Sequence, residues 1–314
     1  MITISVPSKV HLLGEHSVVY GKPALLAAIN KRISITIISS KTKQVQGIQE
    51  HVKEVKQLLE VLESEIKKGA KVKVSSYSIQ INSQVPVGSG LGSSAALSAG
   101  LTAALLSFQK IPWDKKIVFD IAYAGEKFFH GNPSGGDLVT VIEGGFLWFR
   151  KEFEFLKTFS PLPFNPNKNI KHFILINSGK PKESTKEMVN KAATSRKLFP
   201  QKVQSLFNSQ EELTKQMVIA LRDGNEDDLM GCIRFGERNL EKLGVVGKKA
   251  QTIIQEIEKI GGVAKITGAG GIKNGSGMLL VYHKDSDILK KISLSLNLPH
   301  VEIMLGEEGL RRDE

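Results

Sequence analysis

The sequence predicts an α+β protein in two parts, with domains over residues 1–165 and 166–314. Three observations carry this. Strand-like segments alternate with long helical segments in both halves. A Pro- and Asn-rich stretch, Ser160-Pro161-Leu162-Pro163-Phe164-Asn165-Pro166-Asn167, separates two periodic regions near the middle of the chain. Apolar residues make up 41% and glycine adds 29 residues, enough for a sizeable core and too much for a disordered chain.

The elements follow in order. Ile2–Val6 and Val10–Leu13 alternate or run apolar around Pro7, which suits two short strands at an edge or bend. Ile33–Ile38 is β-branched and reads as a strand. From Ile48 the apolar positions Val52, Val55, Leu59, Leu62 and Ile66 recur at three- and four-residue steps, an amphipathic helix stopped by Gly69. Ile79 and Ile81 alternate with polar neighbours in a strand ending at Pro86. Ser93-Ser94-Ala95-Ala96-Leu97 opens a helix apolar on nearly every face, hence buried. Lys115–His130 is a second helix, broken by Gly131-Asn132-Pro133. Leu138–Val141, Gly145–Phe149 and His172–Asn177 read as strands. Helices fill much of 185–260, and strands Ala264–Thr267 and Met278–Tyr282 flank a glycine-rich turn.

Composition narrows the function. There are 43 Lys and Arg against 32 Asp and Glu, a net charge of +11. The lysines are dispersed and often alternate with glutamate, as in Glu50–Lys53–Glu54–Lys56, so a solvated surface attracting anionic metabolites is expected and nucleic-acid binding is not. A single cysteine, Cys232, excludes an internal disulfide and any cysteine-clustered metal site. Met1–Pro7 has no basic signal-peptide region, and no run approaches the roughly 18 apolar residues of a membrane span. A cytoplasmic protein without membrane partners is expected.

Three segments can carry chemistry. Pro86, Val87, Gly88, Ser89, Gly90, Leu91, Gly92, Ser93, Ser94 and Ala95 form a glycine-rich loop running into a helix. Glycines turn backbone N–H groups inward and the helix start adds unpaired donors, a combination that holds phosphate oxygens. The spacing is neither a Rossmann fingerprint nor a Walker loop, and a plain strand-to-helix turn stays open. Gly14–Lys22 imitates a Walker loop but has six residues between its glycines and Pro23 where Ser or Thr is needed. In the second segment, Glu126 lies on a helix and Asp137 follows a Gly/Pro turn. One carboxylate would hold Mg²⁺ while the other sits at a substrate hydroxyl, or they are a surface charge and a turn residue. The third, Lys265-Ile266-Thr267-Gly268-Ala269-Gly270-Gly271, either approaches a ligand closely or is a tight connection.

Together with Pro7-Ser8-Lys9-Val10-His11-Leu12-Leu13-Gly14-Glu15-His16-Ser17-Val18-Val19-Tyr20-Gly21, these segments stand in the order and spacing of the GHMP kinase superfamily. Within it, the G-E-H-x-V-V-Y-G block resembles the mevalonate kinases. The resemblance implies a ribosomal protein S5 domain 2-like N-terminal domain and a ferredoxin-like C-terminal domain. It implies ATP as cosubstrate, Mg²⁺ as cofactor and phosphorylation of the mevalonate C5 hydroxyl, with phosphomevalonate kinase or another small-molecule GHMP kinase as the alternative. A homodimer is compatible with it. Asp137 would then accept the hydroxyl proton, with Lys9 beside it. Glu126 and Ser94 would ligate the metal, residues 86–95 would wrap the phosphates, and Glu15, His16, Thr185, Gly268 and Ala269 would contact substrate. Gly136 stands where the family usually has a branched residue, Ser8 where it has Gly or Ala, and Ile272–Gly277 is longer than the family's glycine run.

Overall fold

The computed structural model describes residues 1–69, 75–85, 90–131, 133–170 and 172–313. Along the chain come strands β1 (Ile2–Leu13), β2 (Pro23–Ser39) and β3 (Gln44–Gln46), helix α1 (Val52–Gly69) and strand β4 (Tyr77–Ser83). Helices α2 (Ser93–Phe108), α3 (Lys115–His130) and α4 (Gly136–Glu143) follow, then strands β5 (Phe146–Lys151), β6 (Lys157–Leu162) and β7 (His172–Asn177). Next are helices α5 (Thr185–Leu198), α6 (Pro200–Asp223), α7 (Glu226–Leu243) and α8 (Lys248–Lys259), and strands β8 (Val263–Ile266) and β9 (Met278–Tyr282). Helix α9 (Ser286–Ser295) and strands β10 (His300–Met304) and β11 (Arg311–Asp313) complete the order. No helix among the described residues is long and apolar enough to cross a membrane.

The chain forms two compact units that interleave in sequence. One comprises Met1–Lys9, Ala28–Gly145 and Glu307–Glu314; the other comprises Val10–Ala27 and Phe146–Gly306. The contacts therefore do not part the chain at one point near 165. The β5–β6 hairpin, paired from Phe146↔Leu162 to Lys151↔Lys157, carries Pro161 within a ladder and belongs wholly to the second unit. As an edge strand, β6 tolerates the missing proline N–H.

In the first unit the strand order is β11-β1-β2-β4-β3. Ile35↔Ile81 and Ile37↔Ile79 stack on the antiparallel β2–β4 pair, and their side chains share a core with Val55, Leu58, Leu62 and Ile66 of α1. Helix α2 is buried at every position from Ala95 to Leu106, as its all-round apolarity requires. Arg32 clasps the returning tail, donating to the Glu307 carboxylate at 2.8 Å and to the Gly309 carbonyl at 2.9 Å.

Three local expectations change. The two short strands flanking Pro7 are one strand, β1. On its β11 side β1 pairs through Thr3–Ser5, so Pro7 lies beyond that ladder. Strand β2 begins at Pro23, ten residues before the β-branched run, because Ala24–Ile29 is fully buried and so lacks alternation. Leu138–Val141 is helical rather than extended. Gly135 starts α4 from a left-handed φ of 88°, Leu138, Val141 and Ile142 turn to the core at helical spacing, and the Thr140 hydroxyl bonds the Gly136 carbonyl at 2.8 Å. A short apolar run does not distinguish the two periods.

The second unit holds an antiparallel sheet in the order β10-β7-β9-β8. Ile174, Ile176, Leu279 and Val281 pack with Met188, Leu240, Ile254 and Ile257 from the helices. The first five residues of β2, Pro23–Ala27, pair with β5 in this unit.

Candidate active site

Lys9 lies on β1 in the first unit and is 3% exposed. Its Nζ sits 2.9 Å from Asp137 Oδ2 and donates to the Gly90 carbonyl at 3.3 Å, while its backbone N–H donates to Leu91 O at 2.9 Å. Asp137 occupies the first turn of α4, where the helix dipole favours a carboxylate, and remains 36% exposed. A buried cation thus presents a half-open carboxylate, geometry suited to orienting a hydroxyl and taking its proton.

The glycine-rich turn shapes this pair. Gly92 caps α2 with φ 73°, and a Cβ there would lie 2.7 Å from Lys9 Cγ. The variant Gly92→Ala is therefore expected to displace Lys9 and lower kcat by about 10²-fold, the cost of an ångström-scale misplacement. Steady-state kinetics with a thermal melt checks it: a folded variant with unchanged kcat would mean that the Lys9 position is not needed. Gly90, Leu91, Gly92, Ser93, Ser94 and Ala95 are at the helix start as expected, whereas Pro86, Val87, Gly88 and Ser89 lie outside the described residues.

Glu126, on α3, is 4% exposed. Burial first, then the Asp137 charge, pushes its carboxyl up to about 7, against the Ser94 hydroxyl and Lys9. Its Oε1 is buried without a hydrogen-bond partner. Ser94, at the first turn of α2, has its Oγ 3.0 Å from His130 Nε2. An orphaned acidic oxygen near a second carboxylate and a hydroxyl suits a hard divalent cation. No cluster of three or more His, Cys, Asp or Glu side chains able to hold a metal exists among the described residues. One protein carboxylate plus ligand oxygens is a usual arrangement for Mg²⁺, so the residues fit that ion.

In the second unit the Gly14-Glu15-His16 turn meets the glycine-rich loop after β8. Glu15 is 4% and His16 5% exposed. His16 has φ 61°, a strained value for a residue other than glycine, and leads into the 3-10 turn Ser17–Tyr20. Burial holds its imidazole below the ordinary value, so the ring is neutral. Nε2 lies 3.0 Å from the Ala269 carbonyl, an acceptor only, so Nε2 carries the proton and Nδ1, buried without a hydrogen-bond partner, is an acceptor. Thr267 Oγ1 accepts the His11 N–H at 2.9 Å. Gly270 has φ 75°, and a Cβ there would lie 2.3 Å from Val245 O.

The longer loop 272–277 is pinned by Ser276, whose hydroxyl donates to Gly271 O at 2.7 Å and whose N–H donates to Ser178 Oγ at 3.0 Å. Lys22, the lysine of the Walker-like spacing, is paired with Glu211 at 2.7 Å. Thr185 is exposed at the first position of α5, inside the Ser184–Glu187 capping box. Gly268 has φ 104° with open space where a Cβ would be.

Three residues around these groups were given no individual role by the sequence reading: His130, Lys265 and Glu237. Glu237 carried a usable signal, since it falls with Ile233 and Leu240 on the buried face of α7. It is fully buried, its Oε2 accepts the Ile266 N–H at 3.0 Å, and burial pushes its carboxyl up to about 8 despite nearby Lys265. A carboxyl whose folded pKa is raised binds its proton more tightly in the native state, so stability falls as pH rises from the ordinary carboxyl range towards 8. The variant Glu237→Gln is expected to flatten that decline, gaining on the wild type in melting temperature between pH 5.5 and pH 8.5. Parallel pH profiles in the two proteins would contradict it.

Residues 52–145 match the family of the GHMP kinases N terminal domain. The mevalonate kinase of Archaeoglobus fulgidus is 32% identical over 270 residues, covering 85% of this chain and 88% of that protein. The chain belongs to the mevalonate kinase family. The mevalonate kinase of Thermococcus gammatolerans is 29% identical over 346 residues, all of this chain and 98% of its own length. The crystal structure of L. major mevalonate kinase in complex with R-mevalonate shares the fold, with a TM-score of 0.84 at 21% identity over 97% of this chain and 96% of that one. The two-domain GHMP kinase fold is shared with that structure, and Lys9, Glu126 and Asp137 lie in one unit of this chain.

Proposed function

We propose that this mevalonate kinase family member transfers the γ-phosphoryl group of ATP to the C5 hydroxyl of mevalonate, giving 5-phosphomevalonate and ADP for isoprenoid synthesis. The observation that carries it is the 2.9 Å Lys9–Asp137 pair with buried Glu126 alongside. Asp137 accepts the hydroxyl proton. Lys9 pairs with that carboxylate and offers positive charge to the transferring phosphoryl group. Residues 86–95 surround the nucleotide phosphates, and Glu15, His16, Thr185, Gly268 and Ala269 bind mevalonate. Mg²⁺, held by Glu126 and Ser94, would neutralise phosphate charge. Phosphoryl transfer needs little covalent help from the protein, so positioning and charge supply the catalysis. A cytoplasmic location and a homodimer belong to the same reading.

A coupled ADP-release assay with mevalonate, phosphomevalonate, galactose and homoserine tests it, and mevalonate is expected to give the highest kcat/KM. Preference for phosphomevalonate would replace the reading with its alternative. The Glu126→Gln variant is expected to need roughly tenfold or more Mg²⁺ for half-maximal rate, within the range for losing a charged contact. A wild-type Mg²⁺ titration curve would pass the metal role to another carboxylate.

A further inference from the structure

Lys265 is fully buried, and its ammonium group spends its donors within the second unit. It donates to the Glu15 carboxylate, to the Ile266 carbonyl at 2.5 Å and to the His11 carbonyl at 3.5 Å. An ammonium has three N–H donors, and here three acceptors from β1, the turn after it and β8 take them. Two further bonds run the same way: Thr267 Oγ1 accepts the His11 N–H, and His16 Nε2 donates to Ala269 O. The Gly14-Glu15-His16 turn and the 267–271 loop are therefore one braced body with a buried ion pair at its centre.

Such a pair is a weak source of stability, because removing two charges from water costs about as much as their attraction returns. An apolar side chain would fill the space with less expense. What only the lysine supplies is direction. It fixes one carboxylate oxygen of Glu15 and leaves the other, Oε2, buried and without a hydrogen-bond partner, next in sequence to His16, whose Nδ1 is also unpartnered. His16 is held at a positive φ that only a firm surround maintains. Glu237, the other carboxyl beside Lys265, is kept towards its neutral form by burial, so Glu15 is the counter-charge of the brace.

We propose that Lys265 is a positioning residue that sets mevalonate affinity by holding Glu15 and His16 in place against the 267–271 loop; this rests on the function proposed above. Glu15 and His16 touch the substrate, and Lys265 acts through them.

The test is a double-mutant cycle on the full chain with Lys265→Met, Glu15→Gln and the double variant, reading KM for mevalonate, KM for ATP, kcat and melting temperature. Lys265→Met is expected to raise the mevalonate KM by about tenfold or more while the ATP KM moves less than about twofold, the split that marks lost substrate binding. In the Glu15→Gln background the same change is expected to add less than about twofold, because the lysine's route to substrate is already gone. Should Lys265→Met not fold, the double variant, which leaves no unpaired buried charge, is compared with Glu15→Gln alone, and a further rise in mevalonate KM of tenfold order overturns the proposal. A folded Lys265→Met with a lowered melting temperature and an unchanged mevalonate KM overturns it too, leaving a purely structural brace, as does an equal rise in both KM values. A wild type that does not phosphorylate mevalonate overturns the function itself, and the proposal with it.

Discussion

The variant Asp137→Asn is expected to lower kcat by about 10²–10⁴, the range for losing a positioned general base. Asparagine keeps the size of the side chain at the first turn of α4 and preserves its reach to Lys9, but it does not take a proton at neutral pH. The mevalonate KM should change far less than kcat, because the proton moves only as the transition state forms. Steady-state kinetics at saturating ATP reads both. Turnover near the wild-type rate would remove Asp137 from the proton transfer and leave positioning alone.

The second large effect belongs to Lys9. Its ammonium is buried between Asp137 Oδ2 and the Gly90 carbonyl, so Lys9→Met removes charge from both the carboxylate and the glycine-rich turn. A loss of about 10²–10³ in kcat is expected, comparable to removing a donor that stabilises developing negative charge. In the proposed mechanism both residues serve one transition state, so the Asp137→Asn/Lys9→Met double variant should lose less than the product of the two single losses. Full multiplication would show that they act independently. A circular-dichroism melt of each variant separates this from unfolding.

Much of the fold, and the residues of the candidate site, were legible in the sequence, for identifiable physical reasons. Helices α1, α2 and α3 emerged close to their bounds because their apolar patterns are long and their ends carry glycine or serine signals. Lys9, Glu126 and Asp137 stood out because a resemblance over four separated segments ranks chemistry-bearing residues that composition does not. Short elements were harder. Residues 138–141 carry too few apolar positions to choose between strand and helix, and the left-handed Gly135 that starts α4 is a three-dimensional fact. The buried start of β2 lacks the alternation that marks a half-exposed strand. The brace around Lys265 joins residues some 250 positions apart, from His11 and Glu15 to Lys265, a relation no local pattern encodes. Glu237 was hidden differently, since a charged residue on an apolar helix face looks like a break in periodicity until its burial is seen.

The most direct test of the central claim is the identity of the phosphorylated product. Wild-type enzyme incubated with ATP, Mg²⁺ and mevalonate should yield a new phosphomonoester signal by phosphorus NMR. That signal should be split by the two C5 methylene protons, the pattern of a phosphate on the primary C5 oxygen, and should grow in step with ADP. Absence of any mevalonate-dependent signal, or a diphosphate signal arising only when phosphomevalonate is supplied, would contradict the assignment of the Lys9–Asp137 site to mevalonate phosphorylation.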